Sequence, residues 1–125
     1  MALRLLIVDD SDHFLAAARG LLEREGLNVV ALASTSAEAV RSARELRPDV
    51  TLVDIDLGDE SGFDLVRELT ASADSASVVL ISAYPEADLR DLIDASPAVG
   101  FLSKSRLSAR AIRDLLDEAG GAEPH

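Results

Sequence analysis

The sequence predicts an α/β fold, an open doubly wound sheet of five parallel strands with five helices on its two faces. Five short apolar runs recur along the chain, and none alternates apolar with polar residues, which is typical of strands buried on both faces. Amphipathic helical patterns separate these runs, so strand and helix alternate. With right-handed crossovers, the five units give the strand order 2-1-3-4-5.

The predicted strands are runs too short for helices, at residues 3–8, 29–33, 50–53, 78–81 and 99–102. Each intervening segment carries an apolar stripe that we expect to pack on the sheet. The stripes are Phe14, Ala18, Leu21 and Leu22; Ala39, Val40, Ala43 and Leu46; Phe63, Val66 and Leu69; Leu89, Leu92 and Ile93; and Ile112, Leu115, Leu116 and Ala119. This arrangement is the flavodoxin-like one.

Capping residues agree with these elements. Gly26 is predicted to follow the end of the first helix. Thr35 and Glu38 have the spacing of a capping box at the second helix, and Ser108 is placed to cap the last one.

The composition favours one globular domain in a reducing compartment. The 125 residues are 48% hydrophobic and 28% charged, which suffices for a single core. The absence of cysteine excludes disulfides, thiolate metal sites and a cysteine nucleophile. Neither a membrane span nor a signal peptide is recognisable. We expect a cytoplasmic protein with one domain over residues 1–119 and a flexible tail or truncated linker over residues 120–125.

The charge balance limits the partners of this chain. There are 23 Asp and Glu against 12 Lys and Arg, a formal net charge of −11. Because such a surface repels phosphate backbones and anionic lipid headgroups, we expect no direct binding to nucleic acid or membranes. A cation or a basic protein surface is a more suitable partner.

Polar residues at the carboxyl ends of the strands mark the expected ligand site. They are Asp9 and Asp10 after the first strand, Asp54 after the third, Ser82 after the fourth and Lys104 after the fifth. In the predicted order, the first and third strands are neighbours where the strand order reverses, and ligands of open α/β sheets bind at that point. Three adjacent carboxylates destabilise a fold unless cations intervene.

The residue types at this edge favour magnesium and phosphoryl chemistry. Oxygen ligands without nearby His or Cys suit Mg²⁺, which keeps coordination positions open for phosphate oxygens. A carboxylate can accept a phosphoryl group as an acyl phosphate. Asp54 is the candidate acceptor, because it follows the buried central strand. Lys104 and Ser82 would help to neutralise the phosphoryl oxygens during in-line transfer.

With these residues, the chain resembles the response-regulator receiver domains of two-component signalling over nearly its whole length. The motifs that carry the resemblance are Asp9-Asp10, Asp54, Gly62 eight residues later, Ser82-Ala83, and Phe101-Leu102-Ser103-Lys104. Together they form a specific signature, although each motif alone is weak.

The resemblance implies a role for each matching residue. Asp54 would be the phospho-acceptor and a metal ligand, Asp10 would bind Mg²⁺ directly, and Asp9 would act through a water. The backbone carbonyl of Asp56 would complete the ligand set. Lys104 would pair with Asp54 and then with the phosphoryl oxygens. The switch residues would be Ser82, which would hydrogen-bond the phosphoryl group, and Phe101, which would turn inward when Ser82 moves.

The resemblance also implies the function. The domain would accept a phosphoryl group from a sensor histidine kinase or a phosphotransfer protein, with Mg²⁺ as cofactor. It would assist its own phosphorylation and dephosphorylation without being an enzyme. Phosphorylation would switch a partner-binding face made by helix four, strand five and helix five. The output protein or C-terminal effector domain is unknown, so a stand-alone receiver and a fragment of a longer regulator both remain open.

Some positions depart from the receiver pattern. Gly58 stands where the family usually has proline. Ser105 follows Lys104 where proline is frequent, and we expect a trans bond there because a non-proline cis bond costs about 2.5–4 kcal/mol. Asp56 and Tyr84 add an acid and a bulky ring beside the expected phosphate position.

Two other interpretations remain open. Asp54-Ile55-Asp56 resembles the DxD motif of haloacid-dehalogenase-type phosphatases, in which the second Asp is a general acid. Gly58, the early position of Asp9-Asp10 and the short chain argue against that class. The other interpretation is a receiver-like interaction module that is never phosphorylated.

Overall fold

A computed structural model of the chain describes residues 2–72 and 77–121 and shows a sheet of five parallel strands between helical layers. The strands are β1 (Arg4–Val8), β2 (Asn28–Ala33), β3 (Val50–Asp54), β4 (Val78–Ser82) and β5 (Gly100–Ser103). The α-helices of the described ranges are α1 (Asp12–Arg24), α2 (Ser36–Leu46), α3 (Gly62–Ser72), α4 (Arg90–Asp94) and α5 (Ala109–Gly121).

Three short elements connect these strands and helices. A two-stranded antiparallel ribbon, Asp56–Leu57 with Glu60–Ser61, lies between β3 and α3. The 3-10 turns Glu86–Leu89 and Lys104–Arg106 precede α4 and α5, respectively. No helix within the two described ranges is both long and apolar enough to span a membrane.

The order of the strands confirms the predicted topology. The sheet runs β2-β1-β3-β4-β5, and all neighbouring strands are parallel. Val8 of β1 pairs with Val53 of β3, and Asp54 pairs with Ile81 of β4. Because parallel strands end at the same edge, this register brings the residues that follow β1, β3 and β4 together.

Two apolar clusters cover the two faces of the sheet, as the non-alternating strands predicted. On one face, Leu22 of α1 and Ile112 of α5 pack against β1 and β3 residues such as Leu5. On the other face, α2 and α3 pack through residues such as Ala43 and Leu65. Each large aliphatic side chain buried in this way stabilises the fold by about 1.5–3 kcal/mol. The two layers hold the strand ends, and the site they carry, in place.

The fourth helix is shorter than the predicted apolar stripe of Leu89, Leu92 and Ile93. Leu89 lies in the 3-10 turn, and α4 has only 5 residues. Ile93 packs partly against the core, but Leu92 is 56% exposed, so the prediction that this stripe packs on the sheet is wrong for Leu92. Successive helical residues point about 100° apart, so with Ile93 turned toward the core, Leu92 points away from it.

The predicted caps are present. Gly26 follows the C-cap of α1 with φ of +95°, and Ser108 Oγ accepts from Ala111 N at 3.0 Å. Thr35 Oγ1 accepts from Glu38 N at 3.1 Å, whereas Glu38 Oε1 accepts from Ser34 N at 2.9 Å. The first hydrogen bond of the predicted capping box is therefore present, whereas the Glu38 carboxylate accepts from Ser34, one residue before the N-cap Thr35.

The C-terminal helix extends past the predicted domain end. It continues to Gly121, two residues into the predicted tail of residues 120–125. Residues 122–125 and the side chain of Ala119 lie outside the described residues.

Candidate functional site

The ends of β1 and β3 place three carboxylates together. Asp9 and Asp10 directly follow β1, and Asp54 is the last residue of β3. One oxygen of each carboxylate lies within 4.8 Å of the other two. Asp9 is fully buried and Asp54 is 5% exposed, whereas Asp10 is exposed to solvent. The acidic cluster predicted from the strand order is thus present, with Asp10 on its open side.

Lys104 bridges two of these carboxylates. Its Nζ lies 2.6 Å from Asp9 Oδ2 and 3.2 Å from Asp54 Oδ2, to which it donates a hydrogen bond. Every described peptide bond is trans, including the one between Lys104 and Ser105, as predicted. The structure therefore brings the predicted lysine to the predicted acids.

The charges of the site shift the pKa values of its members. Burial, and then the neighbouring charge of Asp9, raise the pKa of Asp54 to about 6, although Lys104 acts in the opposite direction. Burial lowers the pKa of Lys104, but its contact with Asp9 and the charge of Asp54 outweigh burial, and the pKa is raised overall. One ammonium thus offsets only part of the negative charge, and the site favours a further cation.

Backbone N–H groups orient the carboxylates. Asp9 Oδ1 accepts from Ser11 N at 2.8 Å, and Asp54 Oδ1 accepts from Asp56 N at 3.2 Å. Asp9 Oδ2 is buried and accepts no well-aligned hydrogen bond from the residues that the structure describes, although the ammonium lies beside it. A buried oxygen in this state, next to two more carboxylates, fits a cation that prefers oxygen ligands.

Two glycines allow the loop after β3 to approach the site. A Cβ at Gly62 would stand 2.1 Å from the Asp54 carbonyl oxygen, so the close approach of α3 to β3 requires glycine. Gly58 has φ of +73°, and a Cβ there would lie 3.4 Å from Asp10 Oδ2. Proline cannot adopt a positive φ, so the proline of the receiver pattern would not fit this loop conformation.

The predicted switch residues occupy the expected strands. Ser82 ends β4, is buried, and accepts a hydrogen bond from Tyr84 N at 3.0 Å. Phe101 of β5 is 9% exposed and packs inward against the second apolar cluster. The side chains of Tyr84 and Asp56 are exposed. Asp56 Oδ1 accepts from Gly58 N at 3.2 Å, so this carboxylate braces its own loop.

Two residues of the site escaped the sequence analysis. Phe14 of α1 places its ring centroid 4.4 Å from Lys104 Nζ. Ser11 caps α1, because its Oγ accepts from Phe14 N at 3.2 Å. A serine at a helix start was a readable capping signal. The Phe14 contact joins distant parts of the chain, and no local pattern predicts it. The side chain of His13, on the same turn of α1, is exposed to solvent.

Comparisons with known proteins agree with this fold. The family model "Response regulator receiver domain" matches residues 5–117. Response regulator GacA of Pseudomonas viridiflava is 32% identical over 103 residues, which are 82% of this chain and 48% of GacA. The protein-glutamate methylesterase/protein-glutamine glutaminase of Alkalilimnicola ehrlichii is 34% identical over 99 residues, 78% of this chain and 25% of that protein. The chain spans less than half the length of these relatives.

A solved structure extends the likeness to the architecture. The signal receiver domain of a modulated diguanylate cyclase from Desulfovibrio desulfuricans G20 superposes with a TM-score of 0.78 at 28% identity. The superposition covers 95% of this chain and 94% of that one. A family match along nearly all of the sheet, together with the strand order found here, shows that this chain belongs to the receiver domains of two-component response regulators.

Proposed function

We propose that this receiver domain accepts a phosphoryl group on the Asp54 carboxylate in a Mg²⁺-dependent reaction, with a sensor histidine kinase or a phosphotransfer protein as donor. The observation that carries the proposal is the position of Lys104, 3.2 Å from the nearly buried Asp54 and 2.6 Å from Asp9. A transferred phosphoryl group brings negative charge to this point, and the ammonium is already there to offset it.

The three carboxylates would hold the metal ion. Asp10 is exposed and suits direct ligation, whereas Asp9 already engages Ser11 and Lys104 and suits ligation through a water. Asp54 and the backbone carbonyl of Asp56 would complete the protein ligands. Bound there, Mg²⁺ would supply further positive charge for the phosphoryl oxygens.

The transfer itself needs few protein groups. An oxygen of Asp54 forms a bond to phosphorus while the phosphorus–nitrogen bond of the donor phosphohistidine breaks, and the imidazole keeps the electron pair. Lys104 then pairs with the phosphoryl oxygens, and the Ser82 hydroxyl donates a hydrogen bond to one of them. Water attacks the acyl phosphate to reset the domain, so each phosphorylation consumes one site and the domain is a signalling switch rather than an enzyme.

The signal would leave through the segment after β4. Ser82 accepts from Tyr84 N, so a shift of Ser82 toward a phosphoryl group moves the start of this segment. In the segment 83–100 every residue is exposed or half-buried, which means that few packing contacts oppose its movement. Phe101, which already packs inward, would shift with Ser82 and reshape the face made by α4, β5 and α5.

Partners and location follow from the same proposal. The kinase or phosphotransfer protein would supply the phosphoryl group in the cytoplasm, and an output protein or output domain would read the α4-β5-α5 face. The switching domain would occupy residues 1–119 together with the last two residues of α5, and the chain beyond Gly121 would be a tail or linker. The excess of acidic residues argues against nucleic acid or membranes as direct partners of this chain.

The test is the intact mass after incubation with acetyl phosphate and Mg²⁺. We expect the wild type to gain one phosphoryl group, and Asp54→Asn or an EDTA-treated sample to gain none. Asp59→Asn, which changes an exposed acid of the same loop, is the matched control and should be labelled like the wild type. A wild type that takes up phosphoryl groups neither from acetyl phosphate nor from a phosphohistidine protein would contradict the proposal. Sustained turnover of a phosphomonoester would support the phosphatase interpretation instead.

A further inference from the structure

We propose that Phe14 is a positioning residue for Lys104, and that the face of its ring holds the ammonium over the acidic cluster. This inference rests on the proposed function and adds a residue of α1 to it. Lys104 Nζ lies 4.4 Å from the ring centroid, inside the roughly 6 Å at which an aromatic ring attracts a cation. The side chain of Lys104 is 20% exposed, so protein rather than water surrounds most of it, and desolvation strengthens this attraction.

Four contacts link Asp9, Ser11, Phe14 and Lys104 in a closed ring. Asp9 Oδ1 accepts from Ser11 N at 2.8 Å, and Ser11 Oγ accepts from Phe14 N at 3.2 Å. The ring meets Lys104 Nζ, which returns to Asp9 Oδ2 at 2.6 Å. The first turn of α1, which carries Phe14, is thus tied to the acidic cluster through its cap.

The ring supplies an attraction that is independent of the carboxylate charges. The lysine side chain has four flexible bonds, and its other described partners at the site are Asp9 and Asp54. A cation bound to the same oxygens weakens these ion pairs, because it neutralises part of the carboxylate charge. The quadrupole of the Phe14 ring does not change when such a cation binds. Phe14 therefore keeps the ammonium near Asp54 when the ion pairs are weakest.

The contact can be observed directly because Lys104 is the only lysine in the sequence. Protein grown with isotope-labelled lysine gives one set of ε-methylene NMR signals, which need no assignment. In metal-free wild type, the ring current of Phe14 should shift the ε-protons upfield. Phe14→Tyr keeps the ring and should keep the shift. Phe14→Leu and Phe14→Met keep an apolar side chain without a ring, and they should lose it.

The consequence for the reaction is measured by the rate of labelling with acetyl phosphate at saturating Mg²⁺. We expect Phe14→Leu to lower the maximal rate by about threefold to tenfold, which corresponds to the usual strength of a partly buried cation–π contact. Phe14→Tyr should restore the rate to within about twofold of the wild type. The half-saturating Mg²⁺ concentration should stay the same, because Phe14 offers no metal ligand.

The two measurements separate the possible failures. An unshifted lysine signal in the wild type, or a Phe14→Leu variant that is folded and labelled at the wild-type rate, overturns the positioning role. A shifted lysine signal in a protein that takes up no phosphoryl group supports the contact but overturns the proposed function. Thermal unfolding shows whether each variant is folded. If Phe14→Leu is unfolded, the rate is measured with Phe14→Met instead.

Discussion

Lys104 lies closer to Asp9 than to Asp54, at 2.6 Å against 3.2 Å, although Asp54 is the proposed acceptor. Asp9 is fully buried, so its carboxylate depends on this ammonium in the resting domain. The lysine therefore has a structural task before it has a chemical one. It neutralises the buried charge of Asp9, and it shares its ion pair between Asp9 and the carboxylate that would be phosphorylated.

Removal of the ammonium should destabilise the domain. We expect Lys104→Met to lower the free energy of unfolding at neutral pH by about 2–4 kcal/mol, because a broken buried ion pair leaves its partner uncompensated. Arg106→Met removes an exposed cation of the same 3-10 turn and should cost little. Urea unfolding measures both variants. An equal decrease in the free energy of unfolding of both variants would show that Lys104 stabilises the fold no more than an exposed cation does.

Stability should depend on pH through Asp54. Its pKa is raised from 3.8 to about 6, so the folded state binds a proton more tightly than the unfolded state does. This contribution favours folding at low pH and is lost as the pH rises through about 6. Asp54→Asn removes the charge, and we expect it to be more stable than the wild type by about 1–3 kcal/mol at neutral pH. The difference should vanish in acid, and Asp59→Asn should show no such pH profile.

Added Mg²⁺ should stabilise the domain in a pH-dependent manner. A ligand that binds only the folded state raises the melting temperature, and protons compete for the same carboxylates. Because the pKa of Asp54 is about 6, the gain with MgCl₂ over NaCl of equal ionic strength should be large at about pH 8 and small at about pH 5. EDTA should reverse it, and Asp10→Asn should reduce it. A gain that is unaffected by Asp10→Asn would place the ion elsewhere.

Two glycine substitutions should act in opposite directions. Gly62→Ala puts a Cβ 2.1 Å from the Asp54 carbonyl oxygen, and because backbone must move, we expect strong destabilisation and slower phosphorylation. Gly20→Ala, on α1, meets only the flexible end of Arg24, and should stabilise by about 0.5–1 kcal/mol through helix propensity. Thermal unfolding distinguishes them. Similar melting temperatures for the two variants would contradict the tight packing at Gly62.

The sheet and the site edge could be predicted because each follows from a local pattern and a topological rule. The run 50–53 does not alternate apolar with polar residues, and once five such runs alternate with helices, the strand order places Asp9 beside Asp54. The residue types then suggest the chemistry. None of these steps requires knowledge of a side-chain contact.

What escaped prediction depends on tertiary contacts. The exposure of Leu92 reflects how α4 is rotated against the core, with Ile93 inward, and its apolar spacing does not reveal this. The ring of Phe14 reaches Lys104 only because α1 begins at the edge of the sheet where β5 ends. Likewise, the path of the backbone before α2 brings Ser34 N to the Glu38 carboxylate, a contact that the capping-box spacing does not predict. Spacing in a sequence reports which residues share a face, but it does not report which of them meet.

The single lysine has a practical consequence for anyone who labels this protein. Apart from the amino terminus, the one primary amine of the chain lies within the acidic cluster, between Asp9, Asp54 and Phe14. Amine-reactive dyes, biotin esters, surface couplings and lysine cross-linkers will therefore either react at the amino terminus or modify the site itself. Probes of partner binding are better attached through an introduced cysteine, since the chain has none of its own.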